Sequence, residues 1–278
     1  MNLPEFTIVV LLISVLAGFL GALTGLGGGV VLVPALTLLF GVDIRYAIGA
    51  SLVSVIATSS GAAAAYVKEG FTNIRIGMFL EIATTIGALA AAQLAAFVSP
   101  SAIAIVFGIV LVYSAFLSGR PGKPRDESVP ADKIGAFLKM DSNYPASDGL
   151  RSYGVQRVPG GFAMMAVAGG LSGLLGIGSG AFKVLAMDQI MRIPFKVSTT
   201  TSNFMIGVTA AASAGVYLNR GYVDPGLALP VVLGVLAGSL AGTRVLTQVR
   251  SRVLRLVFAG VITLLAIEMI YNGVTGRI

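Results

Sequence analysis

Long apolar segments separated by short polar connections dominate the chain. They cover residues 4–23, 29–40, 45–67, 74–98, 101–117, 160–175, 180–191, 194–218, 225–247 and 253–272. A transmembrane helix needs about 20 mainly apolar residues, so the pattern predicts an all-α, polytopic membrane protein. The second segment of each group of five has only 12 residues. A segment that short spans a bilayer poorly unless it is tilted, broken or buried in protein.

A polar region over residues 118–159 divides the apolar segments into two groups of five. It holds 12 of the chain's 31 charged residues and five of its prolines. We therefore predict an N-terminal transmembrane repeat over 1–117 and a C-terminal one over 160–278. The polar linker between them, 118–159, is expected to contain a short amphipathic helix near residues 134–138.

The two groups are related by an ungapped shift of 151 residues. The shift places glycines, hydroxyl residues and a tyrosine on one another: Gly25, Gly27 and Gly29 on Gly176, Gly178 and Gly180, Ser51 on Ser202, Thr58 on Thr209, Tyr66 on Tyr217, Gly70 on Gly221, and Gly87 on Gly238. A glycine-rich composition alone does not readily give one register over this length. An internal repeat of membrane segments is typical of transporters.

The distribution of basic residues predicts how the segments are oriented. If every segment crosses the membrane, one side receives 15 lysines and arginines, and the other receives only Arg45, Arg220 and Arg277. If the short segments re-enter without crossing, the split is 11 to 7. The positive-inside rule favours the first arrangement. Because five crossings per half is an odd number, the halves would then be inverted, with a cytoplasmic linker and both termini outside the cytoplasmic membrane.

Composition narrows the possible classes of function. The chain is 56% hydrophobic and 11% charged, whereas a soluble domain has about 25% charged residues. It contains no cysteine and no histidine, which excludes disulfides, thiol chemistry and metal sites built from these residues. No cofactor, metal or nucleic-acid partner is expected. The spans contain no cluster of carboxylates of the kind that would indicate an enzyme. No basic residue precedes the first apolar segment, so we expect it to be a retained span and not a signal peptide.

Each half has a glycine-rich break after its first apolar segment. The predicted substrate-binding residues here are Gly25, Gly27, Gly28 and Gly29 in the first half and Gly176, Gly178, Ser179 and Gly180 in the second. Interrupted helices at matching places in two repeats indicate a binding site near the middle of the membrane. The N–H groups at the start of the following helix favour an anion. Alternatively, small residues four positions apart form a close-packed helix interface.

The start of the third segment in each half supplies polar candidates. They are Ser51 in the first half and Thr201, Ser202 and Asn203 in the second. Their side chains can donate hydrogen bonds to an oxyanion, or they can cap the helix or bond to its carbonyls. The equivalent pair, Ser51 and Ser202, is the stronger prediction.

Two charged residues lie inside apolar segments. Lys183 follows the second break, and Glu81 lies about a third of the way into its segment. A charge at bilayer depth is costly and indicates a functional site by default. Lys183 would be the counter-charge of a bound anion, and Glu81 would relay protons for coupling or pair with Lys183. Alternatively, Lys183 reaches the membrane interface or pairs with Asp188, and Glu81 lies near the interface.

These motifs resemble those of the sulfite exporter TauE/SafE family of membrane transporters. The matching residues are Gly25-Leu-Gly-Gly-Gly29 with Pro34, Ala47-Ile-Gly-Ala-Ser51, and their repeats at Gly176-Ile-Gly-Ser-Gly180 and Thr201-Ser202. The resemblance covers nearly the whole chain outside the linker. It implies the movement of sulfite, sulfonates or other sulfur oxyanions across the cytoplasmic membrane. Leu185 replaces the proline in the second half, and Lys183 stands where the family usually has an apolar residue.

We therefore expect a secondary transporter that moves sulfite or an organosulfonate such as sulfoacetate by alternating access. Its partners would be the small anion and the lipid bilayer, and the sequence leaves its oligomeric state open. Two alternatives remain: a passive anion channel, and a transporter of another small anion such as a carboxylate.

Overall fold

The computed structural model describes residues 3–24, 28–68, 70–118, 132–146, 149–246 and 251–278. The first half contains five helices: α1 (Leu3–Thr24), α2 (Gly29–Phe40), α3 (Ile44–Lys68), α4 (Ile74–Leu94) and α5 (Pro100–Ser118). The second half contains α7 (Val158–Leu175), α8 (Gly180–Leu185), a π-helical turn (Ala186–Ile190), α9 (Phe195–Asn219), α10 (Pro225–Leu246) and α11 (Ser251–Val274). The predicted apolar segments coincide with these helices.

Helix length and composition agree with a membrane protein. Among the described residues, four helical stretches are long and apolar enough to cross a bilayer: Pro4–Gly21, Ile74–Leu94, Val158–Leu175 and Pro225–Gly242. Many large apolar side chains on these helices face outward, including Leu16, Ile86 and Leu240. Such exposure is unfavourable in water and favourable in lipid. The prediction of an almost entirely α-helical membrane fold is confirmed at this level.

The linker contains more regular structure than the sequence predicted. Helix α6 (Lys133–Phe137) lies where the short helix was expected, and Asp132 caps it by accepting a 2.7 Å hydrogen bond from the Gly135 N–H. An antiparallel hairpin of β1 (Ser142–Ala146) and β2 (Gly149–Tyr153) follows. Its aromatic side chains pack with apolar residues of α4, α7 and α9. The linker therefore covers one end of the helix bundle.

The internal repeat is present in the helix boundaries. A shift of 151 residues moves α3 onto α9 at both ends, and it moves the first residues of α2, α4 and α5 onto those of α8, α10 and α11. Helices of one half pack against helices of the other half. Helix α1 packs against α10, and its counterpart α7 packs against α4. Each half thus supplies the packing surface that the other half lacks.

Repeated glycines allow these exchanged helices to approach closely. A β-carbon at Gly87 would lie against the Ala166 carbonyl oxygen, and one at Gly238 would lie against the Val15 carbonyl oxygen. Gly87 and Gly238 are equivalent in the repeat, and so are Val15 and Ala166. This is the small-residue packing of membrane helices, so these two glycines have a structural role.

Helices α3 and α9 pack antiparallel where the halves meet. Gly49, near the start of α3, lies close to Tyr222, just after α9. Ser59, further along α3, lies close to Gly207, which is earlier in α9. Antiparallel packing of two equivalent helices is what inverted halves require, and it provides the frame for the candidate site.

Candidate substrate site at the paired breaks

The two glycine-rich breaks meet through Ser51 on α3. Its hydroxyl donates a 2.8 Å hydrogen bond to the Gly176 carbonyl oxygen in the second break. Gly29, the first residue of α2, lies so close that an added β-carbon would collide with both of these groups. The structure therefore brings the end of the first break, the start of α3 and the second break together. Of the other predicted glycines, Gly28 is buried beside Gly29, and Gly25 and Gly27 lie outside the described residues.

The second break is a tight turn between α7 and α8. Gly176 and Gly178 have φ angles of +68° and +69°, and Ser179 has a φ of +47°. Side chains are strained in this left-handed conformation, which explains glycine at the first two positions. Ser202 on α9 donates a 3.3 Å hydrogen bond to the Gly180 carbonyl oxygen. The equivalent pair Ser51 and Ser202 thus both bind backbone of the second break.

Lys183 is fully buried just after this break and is held by both halves of the protein. Its Nζ atom donates a 2.5 Å hydrogen bond to the Thr209 hydroxyl on α9. The same hydroxyl lies 2.5 Å from Glu81 Oε1 on α4, and Lys183 Nζ is 3.9 Å from Glu81 Oε2. Thr85, one turn along α4, also donates to Glu81 Oε1 at 3.2 Å. The predicted pairing of Lys183 with Glu81 is present in the structure.

Three polar atoms around this network have no hydrogen-bond partner among the described residues. They are Glu81 Oε2, Ser179 Oγ and Ser172 Oγ, all buried. Buried polar groups are normally hydrogen-bonded, so each exception is a group that can still form a hydrogen bond. Ser179 lies in the second break and is one of the predicted substrate-binding residues, whereas Ser172 lies one helical turn before the break at the end of α7.

The short helix after the second break changes from an α-helix to a π-helical turn at Ala186. Helix α8 ends after six residues, and a π-helical turn continues to Ile190. A six-residue helix has too few aligned peptides for a large dipole. The positive charge in this region therefore comes mainly from the Lys183 ammonium group, which Glu81 balances. Single-turn π-helical insertions occur frequently at functional sites.

Other predicted residues have different surroundings. Thr201 is buried and accepts a 3.0 Å hydrogen bond from the Asn73 backbone N–H, so it binds the start of α4 and not the breaks. Asn203 is half-buried on α9, and its side chain makes no hydrogen bond to a described residue. Asp188, the alternative partner of Lys183, accepts a 2.7 Å hydrogen bond from the neighbouring Gln189 side chain.

Thr209 is the residue that the sequence prediction missed. It bridges Lys183 and Glu81, yet the sequence showed only a threonine in an apolar helix, equivalent to Thr58 in the repeat. That repeat match was the one signal that could have selected it. A threonine hydroxyl in a helix usually bonds to a carbonyl one turn earlier, so its position by itself is weak information.

The site has the groups needed to hold a small anion. It offers an ammonium group, buried hydroxyls and glycine backbone, all far from bulk water. No group of three or more His, Cys, Asp or Glu residues suited to a metal occurs in the described part of the chain. Two related halves with broken helices and a buried ion pair between them are typical of membrane transporters.

Comparison with known proteins places the chain in one such class. It belongs to the sulfite exporter TauE/SafE family, whose family model matches residues 10–269. The probable membrane transporter protein YunE of Bacillus subtilis is 27% identical over 274 residues, covering 96% of this chain and 98% of its own. YdhB of the same organism, also a probable membrane transporter protein, is 27% identical over 232 residues, 83% and 85% of the two chains. A probable membrane transporter protein of Methanocaldococcus jannaschii is 23% identical and covers 94% of each chain. No solved structure gives a significant match.

Proposed function

We propose that this membrane transporter is a secondary transporter of small sulfur-containing anions, sulfite or an organosulfonate such as sulfoacetate. Substrate would bind beside the second break, between Ser179 and Lys183. The observation that carries the proposal is the fully buried ammonium group of Lys183, one helical turn after Ser179, whose buried hydroxyl has no hydrogen-bond partner among the described residues. The sulfur class is supported by the family to which the chain belongs.

The network around Lys183 gives a reason why an anion would be recognised. A charge buried without compensation costs several kcal/mol in a protein interior. Lys183 is compensated by Glu81 across 3.9 Å and by the Thr209 hydroxyl. An oxyanion that enters the break can take over these interactions with Lys183 and can also accept hydrogen bonds from the Ser179 hydroxyl. Charge-assisted hydrogen bonds of this kind are about twice as strong as neutral ones.

Glu81 is proposed as the coupling residue. Without substrate, the Lys183–Glu81 pair has no net charge. Adding a monovalent anion leaves one excess negative charge in a buried site, which is costly. Protonation of Glu81 would restore neutrality, so one proton would accompany each monovalent anion. The buried Oε2 atom of Glu81, which lacks a hydrogen-bond partner among the described residues, is the atom available for that proton.

Flux into proteoliposomes that contain the purified protein tests the proposal. Wild-type protein should take up radiolabelled sulfite or sulfoacetate with saturation and should exchange internal for external anion. Lys183→Met should weaken substrate binding by roughly 1.5–3 kcal/mol, about 10- to 100-fold, because a charged hydrogen bond is lost. Lys183→Arg should keep part of the affinity, since the charge remains but the geometry changes. Lys196→Met removes an exposed lysine and is the matched control.

Loss of folding must be separated from loss of binding. Lys183→Met leaves the Glu81 carboxylate without its cation, which is destabilising. The double variant Glu81→Gln with Lys183→Met has no buried charge at this position and should melt close to wild type, yet it should not bind the anion. Normal affinity in a stable Lys183→Met protein would remove this residue from the site. Flux without saturation would favour a passive channel, and saturable flux of carboxylates alone would favour the other substrate class.

A further inference from the structure

A small recess lies at the end of the helix bundle opposite the linker. It is closed to a sphere the size of a water molecule in this conformation, so an anion would enter it only as the lining side chains move apart. Six residues line it: Arg45, Ala92, Ala95, Tyr217, Arg220 and Tyr222. The linker hairpin packs near the start of α4, where Asn73 donates a 2.8 Å hydrogen bond to the Tyr153 hydroxyl. The recess lies at the other end of the same helix.

Two guanidinium groups are fixed at this recess, one from each half. Arg45, at the start of α3, donates a 2.9 Å hydrogen bond to the Val98 carbonyl oxygen. Arg220, just after α9, donates a 2.6 Å bond to the Gln93 side-chain oxygen and a 3.3 Å bond to the Ala92 carbonyl oxygen. Each guanidinium has five N–H donors, so both keep donors for another acceptor.

Capping of α4 explains only part of this arrangement. Cationic side chains are favourable near the last carbonyls of a helix. The Nε atom of Arg45, however, is buried and has no hydrogen-bond partner among the described residues. Nor is either guanidinium paired with a carboxylate in the described part of the chain. The nearby Asp43 and Asp224 instead each accept a backbone N–H at the start of the following helix.

The positions of the basic residues make this pair unusual. Positive charges are expected to be rare on the side of the membrane opposite the linker, and the sequence places only three there. Two of those three, Arg45 and Arg220, converge on one recess. Aromatic rings complete its wall, since the Arg45 guanidinium lies 5.9 Å from the centre of the Tyr222 ring. Paired guanidinium groups match the geometry of small oxyanions.

Tyr217 separates the recess from the glycine-rich breaks. It lines the recess and is buried, and its hydroxyl lies 3.4 Å from the Leu174 carbonyl oxygen, two residues before Gly176. Glu81 lies eleven residues before Ala92 on α4, about 16 Å along the helix axis. The recess is therefore adjacent to the proposed substrate site but distinct from it.

We propose that this recess is a second anion-binding site, which takes a small oxyanion through the Arg45 and Arg220 guanidinium groups. Its place in transport, as the station where anions are captured or released, rests on the proposed function. The Tyr217 ring would have to move for an anion to pass between the recess and the breaks. Anion binding at the recess is independent of Lys183.

A single introduced tryptophan can report binding at this site, because the chain contains none. Tyr46 is 38% exposed, and its ring packs edge-on against Tyr222 at 5.6 Å. Purified Tyr46→Trp protein is titrated with sulfite at constant ionic strength. We expect a saturable change in fluorescence, an affinity at least tenfold weaker after Arg45→Gln or Arg220→Gln, and no change in the double variant Glu81→Gln with Lys183→Met, which should fold as the wild type does.

A more conservative variant separates loss of anion binding from misfolding. Gln93→Glu places a carboxylate where the Gln93 oxygen already accepts from Arg220, so it neutralises one of the two positive charges of the recess while keeping the cap of α4. It should weaken the sulfite response as Arg220→Gln does, and its melting temperature should not fall. No saturable response, or a response that is abolished in the Glu81→Gln and Lys183→Met double variant and kept by the arginine variants, would overturn the second site. A fluorescence response without sulfite flux would contradict only the proposed function, and flux without a fluorescence response would contradict only the recess.

Discussion

Ser179 places a buried hydroxyl at the second break, and nothing in the described part of the chain accepts its proton. Removing an unsatisfied hydroxyl is nearly neutral or stabilising, whereas removing one that is hydrogen-bonded costs about 1 kcal/mol. Ser179→Ala should therefore keep the melting temperature of the wild type and weaken sulfite binding about tenfold. Ser51→Ala, which loses the bond to Gly176, should lower the melting temperature. Thermal denaturation and binding measured on both variants check this, and unchanged affinity in Ser179→Ala would exclude its hydroxyl from the site.

Glu81 gives a second prediction about a single residue, because its proposed role depends on binding one proton. Glu81→Gln keeps the shape of the side chain and removes the carboxylate that would carry the proton. Uptake by the wild type should increase when the outside is acidic relative to the inside, since protons then drive the anion inward. The glutamine variant should lose this response to the pH gradient. Anion exchange at equal pH, which needs no net proton movement, should persist. A normal response in Glu81→Gln would place proton coupling elsewhere.

At the scale of elements, the second break depends on backbone that only glycine adopts without strain. Gly178 has a φ of +69°, and Gly41, the cap after α2, has a φ of +64° with open space around it. Alanine at either position should cost about 1 kcal/mol, because a β-carbon disfavours the left-handed conformation. Gly178→Ala should cost more than Gly41→Ala, because its β-carbon would also lie 2.9 Å from Ile206 Cγ2. Only Gly178→Ala should also reduce the specificity constant for transport, by at least tenfold. If Gly41→Ala reduces transport equally, strain alone explains the loss and the break has no special role.

The hairpin of the linker is a second element whose position matters. It packs over the ends of α4, α7 and α9 through an apolar cluster that includes Met140, Tyr144 and Tyr153. Burial raises the pKa of Tyr153 to about 12, so its hydroxyl stays protonated at neutral pH. The contact with Asn73 ties the hairpin to α4. The contribution of the Tyr153 hydroxyl to the free energy of unfolding is complete below pH 10 and decreases as the pH rises towards 12. The reason is that the phenol loses its proton less readily in the folded state than in the unfolded state.

At the scale of the whole molecule, the inverted arrangement remains a prediction that labelling can test. The chain has no cysteine, so single introduced cysteines are unambiguous. Leu150 in the hairpin and Thr275 near the end of the chain are both exposed. On intact cells, an impermeant thiol reagent should label Thr275→Cys and should not label Leu150→Cys until the membrane is permeabilised. The opposite pattern, or labelling of both, would contradict a cytoplasmic linker with both ends outside.

Much of the fold could be predicted from the sequence because lipid leaves few alternatives. Backbone groups in a bilayer must be satisfied within the segment, so a long apolar stretch there has to be a helix. The apolar pattern therefore located the helices, and the shift of 151 residues identified equivalent ones such as α3 and α9. The polar linker lacks this constraint. Its hairpin depends on packing against distant helices, and hydropathy did not reveal it.

The sequence by itself determined which residues were expensive to bury, and only the tertiary structure decided what they meet. Lys183 and Glu81 stood out because charges in apolar segments are costly. Their pairing through Thr209 depends on α4 of one half packing against α9 of the other, which joins residues about 100 positions apart. Arg45 and Arg220 likewise appeared in the sequence only as charges that set orientation. Their convergence follows from the antiparallel packing of α3 and α9, because a contact between the halves is set by the three-dimensional arrangement of helices and leaves no local pattern along the chain.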